Sequence, residues 1–187
     1  MRDPEDIHDE WLVLRCQDGD AAALAELVER WQPRLLRHAH RLTGTPDGAG
    51  DVVQQAWIAI IRGLGRLSDA ARFRRWAYQI VTYKCADWIR ERQRERARTS
   101  ALADEAALRS TNENEAANAD RADDIAVLRR ALQQISPDRR AALSMFYLEQ
   151  MSLAEIAEAL SLPLGTVKSR LHYAKQELKA TLERKMP

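Results

Sequence analysis

Residues 99–120 read TSALADEAALRSTNENEAANAD, and no other stretch constrains the chain as strongly. It holds no aromatic residue, no β-branched apolar residue and only two leucines, Leu102 and Leu108. Such a segment cannot bury enough surface to offset the entropy of ordering it, so no single core runs through it. The 187 residues are therefore expected to form two small domains, 1–98 and 123–187, joined by a flexible acidic linker over 99–122.

Both flanks carry helical punctuation. The 7 Gly and 6 Pro leave little room for the turns of an all-β fold, and no alternating strand pattern survives anywhere. Asp20 is placed to cap a helix running to about Trp31, with Leu24, Leu27, Val28 and Trp31 at helical spacing. Pro33 suits the first turn of a second helix, which Gly44 stops, and Thr45-Pro46-Asp47-Gly48 reads as a turn. A third helix is expected over about 51–62, followed by a loop to about Ala71 and a long helix from Arg72 towards Arg96. Beyond the linker a helix begins at Asp123 or Asp124, and Ser136-Pro137 caps and opens the next, through about Gln150. Ser152 and Glu155 have capping-box spacing ahead of another helix, and a last one follows a short turn containing Pro163. The fold class is all-α.

The formal net charge of +1 conceals a segregation. Residues 1–29 hold two bases against nine acids, residues 62–98 eleven bases against four acids, and residues 163–187 six bases against two. Two basic zones divided by an acidic stretch fit two surfaces that face polyanions, although solvated helix faces give the same counts. No apolar run approaches the roughly 18 residues of a membrane span. The N-terminus, MRDPEDIHDE, has no signal-peptide pattern, so a cytoplasmic protein without membrane insertion is expected. Cys16 and Cys85 read as small core residues, and His38 and His40 as exposed helix residues rather than metal ligands. No metal-binding, phosphate-loop or nucleophile motif is present, so neither enzymatic activity nor a cofactor is expected.

The last two helices carry a sharper signal. Two helices joined by a short turn, the second one basic, form the helix-turn-helix pattern. Val167 and Leu171 would fix the second helix against the first, whose Ala157 is small where the two cross closely. That second helix would then enter a major groove, with Thr166, Lys168, Ser169, Arg170, His172, Tyr173 and Lys175 available to base edges and phosphates.

The segment MSLAEIAEALSLPLGTVKSRLHYAKQEL resembles the C-terminal helix-turn-helix of bacterial RNA polymerase sigma factors of the extracytoplasmic-function group. In the first half, LVERWQPRLLRHAHRLTGTPDGAGDVVQQAWIAIIRGLGRL resembles that group's amino-terminal domain, and FRRWAYQIVTYKCADWIRERQR its promoter-reading helix. The matches span about 12–98 and 123–182, in the family's order. The resemblance implies an alternative sigma factor whose partners are core RNA polymerase, promoter DNA and, commonly in the group, an anti-sigma factor. It implies no covalent chemistry. The helix over 51–62 would dock on the polymerase clamp, presenting Asp51, Gln54, Gln55 and Ile58. The −10 element would be held as a single strand with one base flipped out, by the loop over 64–72 and the helix beside it. Arg62, Arg66, Arg72, Arg74, Arg75, Gln79 and Tyr83 are the residues implied there, and the recognition helix would read a −35 duplex. The acidic linker would thread the polymerase's RNA exit path, or serve as a plain tether.

Four positions depart from the family pattern. Gln55 stands for a customary acid, Tyr83 for Asn, Gln79 for Arg and Tyr173 for Arg. Because Arg pairs bidentately with guanine and Tyr does not, the −35 sequence read here is expected to differ or to lean more on shape and phosphates. Tyr83 offers a hydroxyl and a stacking face where Asn offers a donor and an acceptor, so the −10 preference is expected to be atypical, or another residue reads the base. Trp76 is expected in the core rather than against a base, while for Tyr78, whose hydroxyl tolerates water, both placements stay open. Two other classes fit part of the pattern: a stand-alone helix-turn-helix regulator, which binds duplex unaided, and a helical adaptor, which leaves both basic zones unexplained.

Overall fold

In a computed structural model describing residues 4–102 and 121–184, every regular element is helical. In chain order they are α1 (Pro4–Gln17), α2 (Ala21–Thr43), α3 (Pro46–Leu64), a 3-10 turn (Ala70–Arg72), α4 (Phe73–Leu102), α5 (Arg121–Gln134), α6 (Pro137–Tyr147), α7 (Leu153–Leu160) and α8 (Leu164–Glu183). The linker expected over 99–122 falls, for residues 103–120, outside the described residues.

The local signals act as expected at several helix ends. Asp20 accepts from the Ala22 and Ala23 amides at 2.9 and 3.1 Å, satisfying donors that a helix start leaves open. Gly44 closes α2 at a positive φ of 80°, a conformation cheap only for glycine. At α7 the full capping box forms: the Ser152 amide donates to Glu155 Oε2 at 2.8 Å, and the Glu155 amide to Ser152 Oγ at 3.2 Å.

Elsewhere tertiary packing overrides the local reading. Two helices were expected around Pro33, but α2 runs through it unbroken. An interior proline costs about 3 kcal/mol. Leu27, Trp31, Leu35, Ala39 and Leu42 form one buried face across it, and the large side chains among them contribute about 1.5–3 kcal/mol each. The expected turn at Thr45-Pro46-Asp47-Gly48 is instead the first turn of α3, with Thr45 Oγ1 accepting from the Gly48 amide at 3.2 Å. Ser136 makes no side-chain cap bond, so Pro137 alone marks the start of α6. The long helix passes Arg96 and continues to Leu102, since nothing from 96 to 102 breaks it. Helix α1 had no counterpart in the sequence reading. It is seated by Leu12 and Val13, and by Asp9, whose Oδ1 accepts from Arg30 Nε at 2.9 Å. At its end Gln17 Nε2 donates to the carbonyls of Leu64 and Leu67 at 3.0 and 2.8 Å, fixing the loop that follows α3.

The helices after residue 120 lie against those before it, α6 on α2 and α7 on α4. Arg140, almost fully buried on α6, holds this junction. Its guanidinium donates to the Arg41 and Leu42 carbonyls at 3.1 and 3.3 Å, and to the Gln133 and Ile135 carbonyls at 3.1 and 2.9 Å. One side chain thus satisfies the orphan carbonyls at the ends of both α2 and α5.

Candidate nucleic-acid interface

The end of α3, the loop after it and the first turns of α4 border an open cavity of about 590 Å³. Arg66, Arg72, Arg75, Trp76 and Gln79 line it, together with Gly63, Leu67, Ser68 and, from α7, Glu158. Trp76 is half-buried rather than interior: its ring packs on Phe73 and lies over Gly63. A Cβ at position 63 would sit 2.7 Å from Trp76 Cζ2, so only glycine admits the ring so close. Asp69 accepts from the Ala71 amide at 3.0 Å and starts the 3-10 turn that carries Arg72. The site therefore offers three guanidinium groups, an amide and one aromatic face in a single concavity, which is what a phosphate and a base require together.

Four of the residues implied for −10 DNA, namely Arg66, Arg72, Arg75 and Gln79, converge on this cavity. The other three do not line it. Arg62 and Tyr83 are exposed elsewhere on α3 and α4, and Arg74, one residue from Arg75, donates to the Glu149 carbonyl. Tyr78, for which both placements stood open, is buried, and its hydroxyl donates to the Glu149 carboxylate. Burial, and then the Glu149 charge, push its phenol pKa up. His38, expected on the surface, is fully enclosed because α4 and α6 cover both flanks of α2. His38 Nε2 lies 2.9 Å from Thr82 Oγ1 and Nδ1 3.4 Å from Ser144 Oγ. Burial pushes its pKa down to about 4, with Arg41 adding to the effect and Glu149 opposing it. Cys85 is buried as expected, its thiol pushed up to about 12 by burial, and Cys16 is half-buried.

On α3, Asp51, Gln54, Gln55 and Ile58 are all exposed. Their spacing of i, i+3, i+4 and i+7 sets them in one stripe, opposite the buried Val52, Val53, Ala56 and Ile60.

The helix-turn-helix consists of α7 and α8. Ile156 and Ala159 of α7 are buried with Val167, Leu171 and Ala174 of α8, and Ser161 turns the chain between them at a φ of 52°. Ala157 is half-buried at the crossing. Lys168, Ser169, His172, Tyr173 and Lys175 are exposed and Thr166 is half-exposed, so this helix presents the row of side chains expected of it. Arg170 is tied back, its Nη2 donating to Asp138 of α6 at 3.0 Å. Arg139 lies 5.6 Å over the Tyr173 ring and gives that face a cation beside its aromatic group.

Leu67 and Ser68 belong to the loop over 64–72 that the sequence singled out, but Gly63 as a cavity wall, and Glu149 and Glu158 as partners of the basic helix, were missed. The one available signal was a glycine, Gly63, set among large apolar residues; the acidic partners lie at least 71 positions away in sequence.

Comparison with known proteins gives the family. Residues 27–95 match the family model for Sigma-70 region 2, and residues 125–178 that for Sigma-70, region 4. The chain is 30% identical to the RNA polymerase sigma-H factor of Pseudomonas aeruginosa over 183 residues, covering 94% of each chain. It is 33% identical to the RNA polymerase sigma-E factor of Streptomyces avermitilis, covering 88% of each chain. It is also 33% identical to the ECF RNA polymerase sigma factor SigL of Mycobacterium tuberculosis, covering 88% of this chain and 92% of that one. Among solved structures, CnrH in complex with the cytosolic domain of CnrY has a similar fold, with a TM-score of 0.67 at 23% identity, covering 95% of this chain and 98% of that one. The chain belongs to the sigma-70 family, in its extracytoplasmic-function group, and is an alternative sigma factor that directs promoter-specific transcription initiation with core RNA polymerase. No described helix is long and apolar enough to cross a membrane.

Proposed function

We propose that the chain divides this work among three surfaces, in domains bounded at 1–98 and 123–187 with an acidic linker over 99–122. The α3 stripe of Asp51, Gln54, Gln55 and Ile58 docks on the polymerase clamp. The cavity behind it takes a flipped base of the −10 strand, while Arg62, Arg66, Arg72, Arg74 and Arg75 hold the backbone and Gln79 and Tyr83 face the bases. The row on α8, from Thr166 to Lys175, reads the −35 duplex, with Tyr173 favouring apolar and shape contacts over a guanine pair. All of this proceeds by binding energy, with no covalent bond made or broken, in the cytoplasm where the polymerase works. The linker lies along the polymerase's RNA exit path. CnrH was solved with the cytosolic domain of CnrY, and a protein partner of the anti-sigma kind is proposed here from that likeness of fold.

The observation that carries the reading is the convergence of Arg66, Arg72, Arg75, Trp76 and Gln79 on one cavity large enough for a nucleobase. Extruding a base costs a few kcal/mol, which stacking and phosphate contacts must offset. The test separates the surfaces. Asp51→Arg should abolish retention of core polymerase and leave binding to single-stranded DNA intact. Arg72→Ala with Gln79→Ala should do the reverse: polymerase retained, promoter opening lost in permanganate footprinting. If both variants lose polymerase retention, or if Asp51→Arg also loses single-strand binding, the division between these two surfaces is wrong.

A further inference from the structure

Helix α1 ends on the loop that walls the cavity. Gln17 Nε2 lies 3.0 Å from the Leu64 carbonyl oxygen and 2.8 Å from that of Leu67. Both partners are acceptors, so only the NH2 end of the side chain fits there, with one hydrogen for each carbonyl. From these two carbonyls the loop supplies Arg66, Leu67 and Ser68 to the cavity wall. Gln17 does not line the cavity itself and reaches it only through the loop.

The loop has few other anchors. Of residues 65–69, Leu67 packs against the core and the other four are exposed. The Arg66 amide donates to the Gly63 carbonyl at 2.9 Å and the Leu67 amide to that of Leu64 at 3.1 Å. These bonds shape each turn but tie it to no other element. A segment with so few buried contacts opens at small cost, and its working shape is then one among several. Gln17 supplies the link to a second helix, and α1 also lies against the 3-10 turn that carries Arg72. We propose that Gln17 is a positioning residue for promoter opening: its amide holds Arg66, Leu67 and Ser68 in the shape that receives the extruded base. The proposal rests on the reading of this cavity as the −10 site. It gives α1 a task besides covering the core, and separates that task from polymerase docking, whose residues Asp51, Gln54, Gln55 and Ile58 stand on α3 ahead of the loop.

The test compares Gln17→Met and Gln17→Glu with Gln32→Met, the same replacement at another half-buried glutamine, whose bond with Trp57 Nε1 joins α2 to α3 about two turns ahead of the loop. Methionine keeps the length of glutamine without a donor, and glutamate sets an oxygen where two carbonyls need one. Each full chain is assembled with core RNA polymerase on a promoter recovered by selection in vitro with the wild type. Opening is read by permanganate footprinting per retained chain, a ratio that loss of folded protein alone leaves unchanged. Both Gln17 variants should keep polymerase retention and lose opening roughly tenfold per retained chain, as for a working loop reduced to about one-tenth of its population. Hydrogen exchange over 64–72 in the free chain should rise in both and stay unchanged in Gln32→Met. Undiminished opening or unchanged exchange in the Gln17 variants overturns the proposal. An equal loss of opening in Gln32→Met also overturns it, because a general weakening of the fold then accounts for the effect. Should Gln17→Glu fail to fold by circular dichroism, Gln17→Met, which keeps the size and adds no charge, decides. Arg72→Ala with Gln79→Ala is run alongside. Normal opening in that variant would remove the −10 reading of the cavity, while exchange over 64–72 would still report whether Gln17 holds the loop.

Discussion

Acidification is expected to loosen this fold through one side chain, His38. Its imidazole is wholly buried where α2, α4 and α6 meet, with Thr82 and Ser144 on its nitrogens and the Tyr78 ring edge-on at 5.0 Å. Arg41 and Glu149 are the charged groups acting on it, and burial is the main reason its pKa stands at about 4 against 6.5 for a free histidine. The unfolded chain takes up this proton first. His38 therefore contributes its full stability above pH 6.5, and that contribution is lost as the pH falls towards about 4. A difference of about 2.5 units corresponds to roughly 3 kcal/mol in all, of which roughly 2 kcal/mol is lost between about pH 7 and pH 5. Asp20 and Glu155 do not contribute in that interval. The Asp20 carboxyl is held below its ordinary value chiefly by the Ala23 amide. In Glu155, burial acts upward but is outweighed by the hydrogen bonds with Ser152. Both therefore lose their stabilising effect only at lower pH. Urea unfolding followed by circular dichroism across this interval, on wild type and His38→Gln, measures the slope. Wild-type stability should fall with pH as stated, and the slope should vanish in the variant whatever its absolute stability. A flat wild-type profile, or an undiminished slope in His38→Gln, refutes the assignment.

Other perturbations have equally definite outcomes. Gly63→Ala sets a methyl group 2.7 Å from the Trp76 ring, so it should cost about 1–3 kcal/mol and shift tryptophan fluorescence; an unchanged melting temperature and spectrum would mean that the ring is not held there. Ser152→Ala removes a hydroxyl acceptor from the α7 cap and should lower stability by about 1 kcal/mol in denaturant titration. Gln54→Ala, at an exposed position, should weaken retention of core polymerase with no change in thermal midpoint. Tyr173→Arg should move the −35 sequences recovered by selection towards guanine at one position; an identical set would remove Tyr173 from the reading face.

What the sequence made legible was local. Asp20, Gly44 and the Ser152–Glu155 box act within a turn of their own position, and each forms the bond that its spacing implied. The rows on α3 and α8 were equally accessible, because helical period alone separates Asp51 from Val52 and Lys168 from Val167. What escaped depends on partners far along the chain. Pro33 is tolerated because a buried face on both sides of it outweighs a missing hydrogen bond. His38 is interior only because α4 and α6, both far along the chain from it, cover it. Neighbours diverge for the same reason: Arg75 faces the cavity while Arg74, about 100° around the helix, reaches the loop after α6. No local pattern distinguishes those two arginines.

The most direct test of the central claim is co-purification of the full chain with bacterial core RNA polymerase, followed by transcription in vitro from a genomic fragment library. A stable complex that initiates at discrete sites sharing −35 and −10 sequences is the expected result. Absence of any complex, with specific duplex binding by the protein alone, would contradict it.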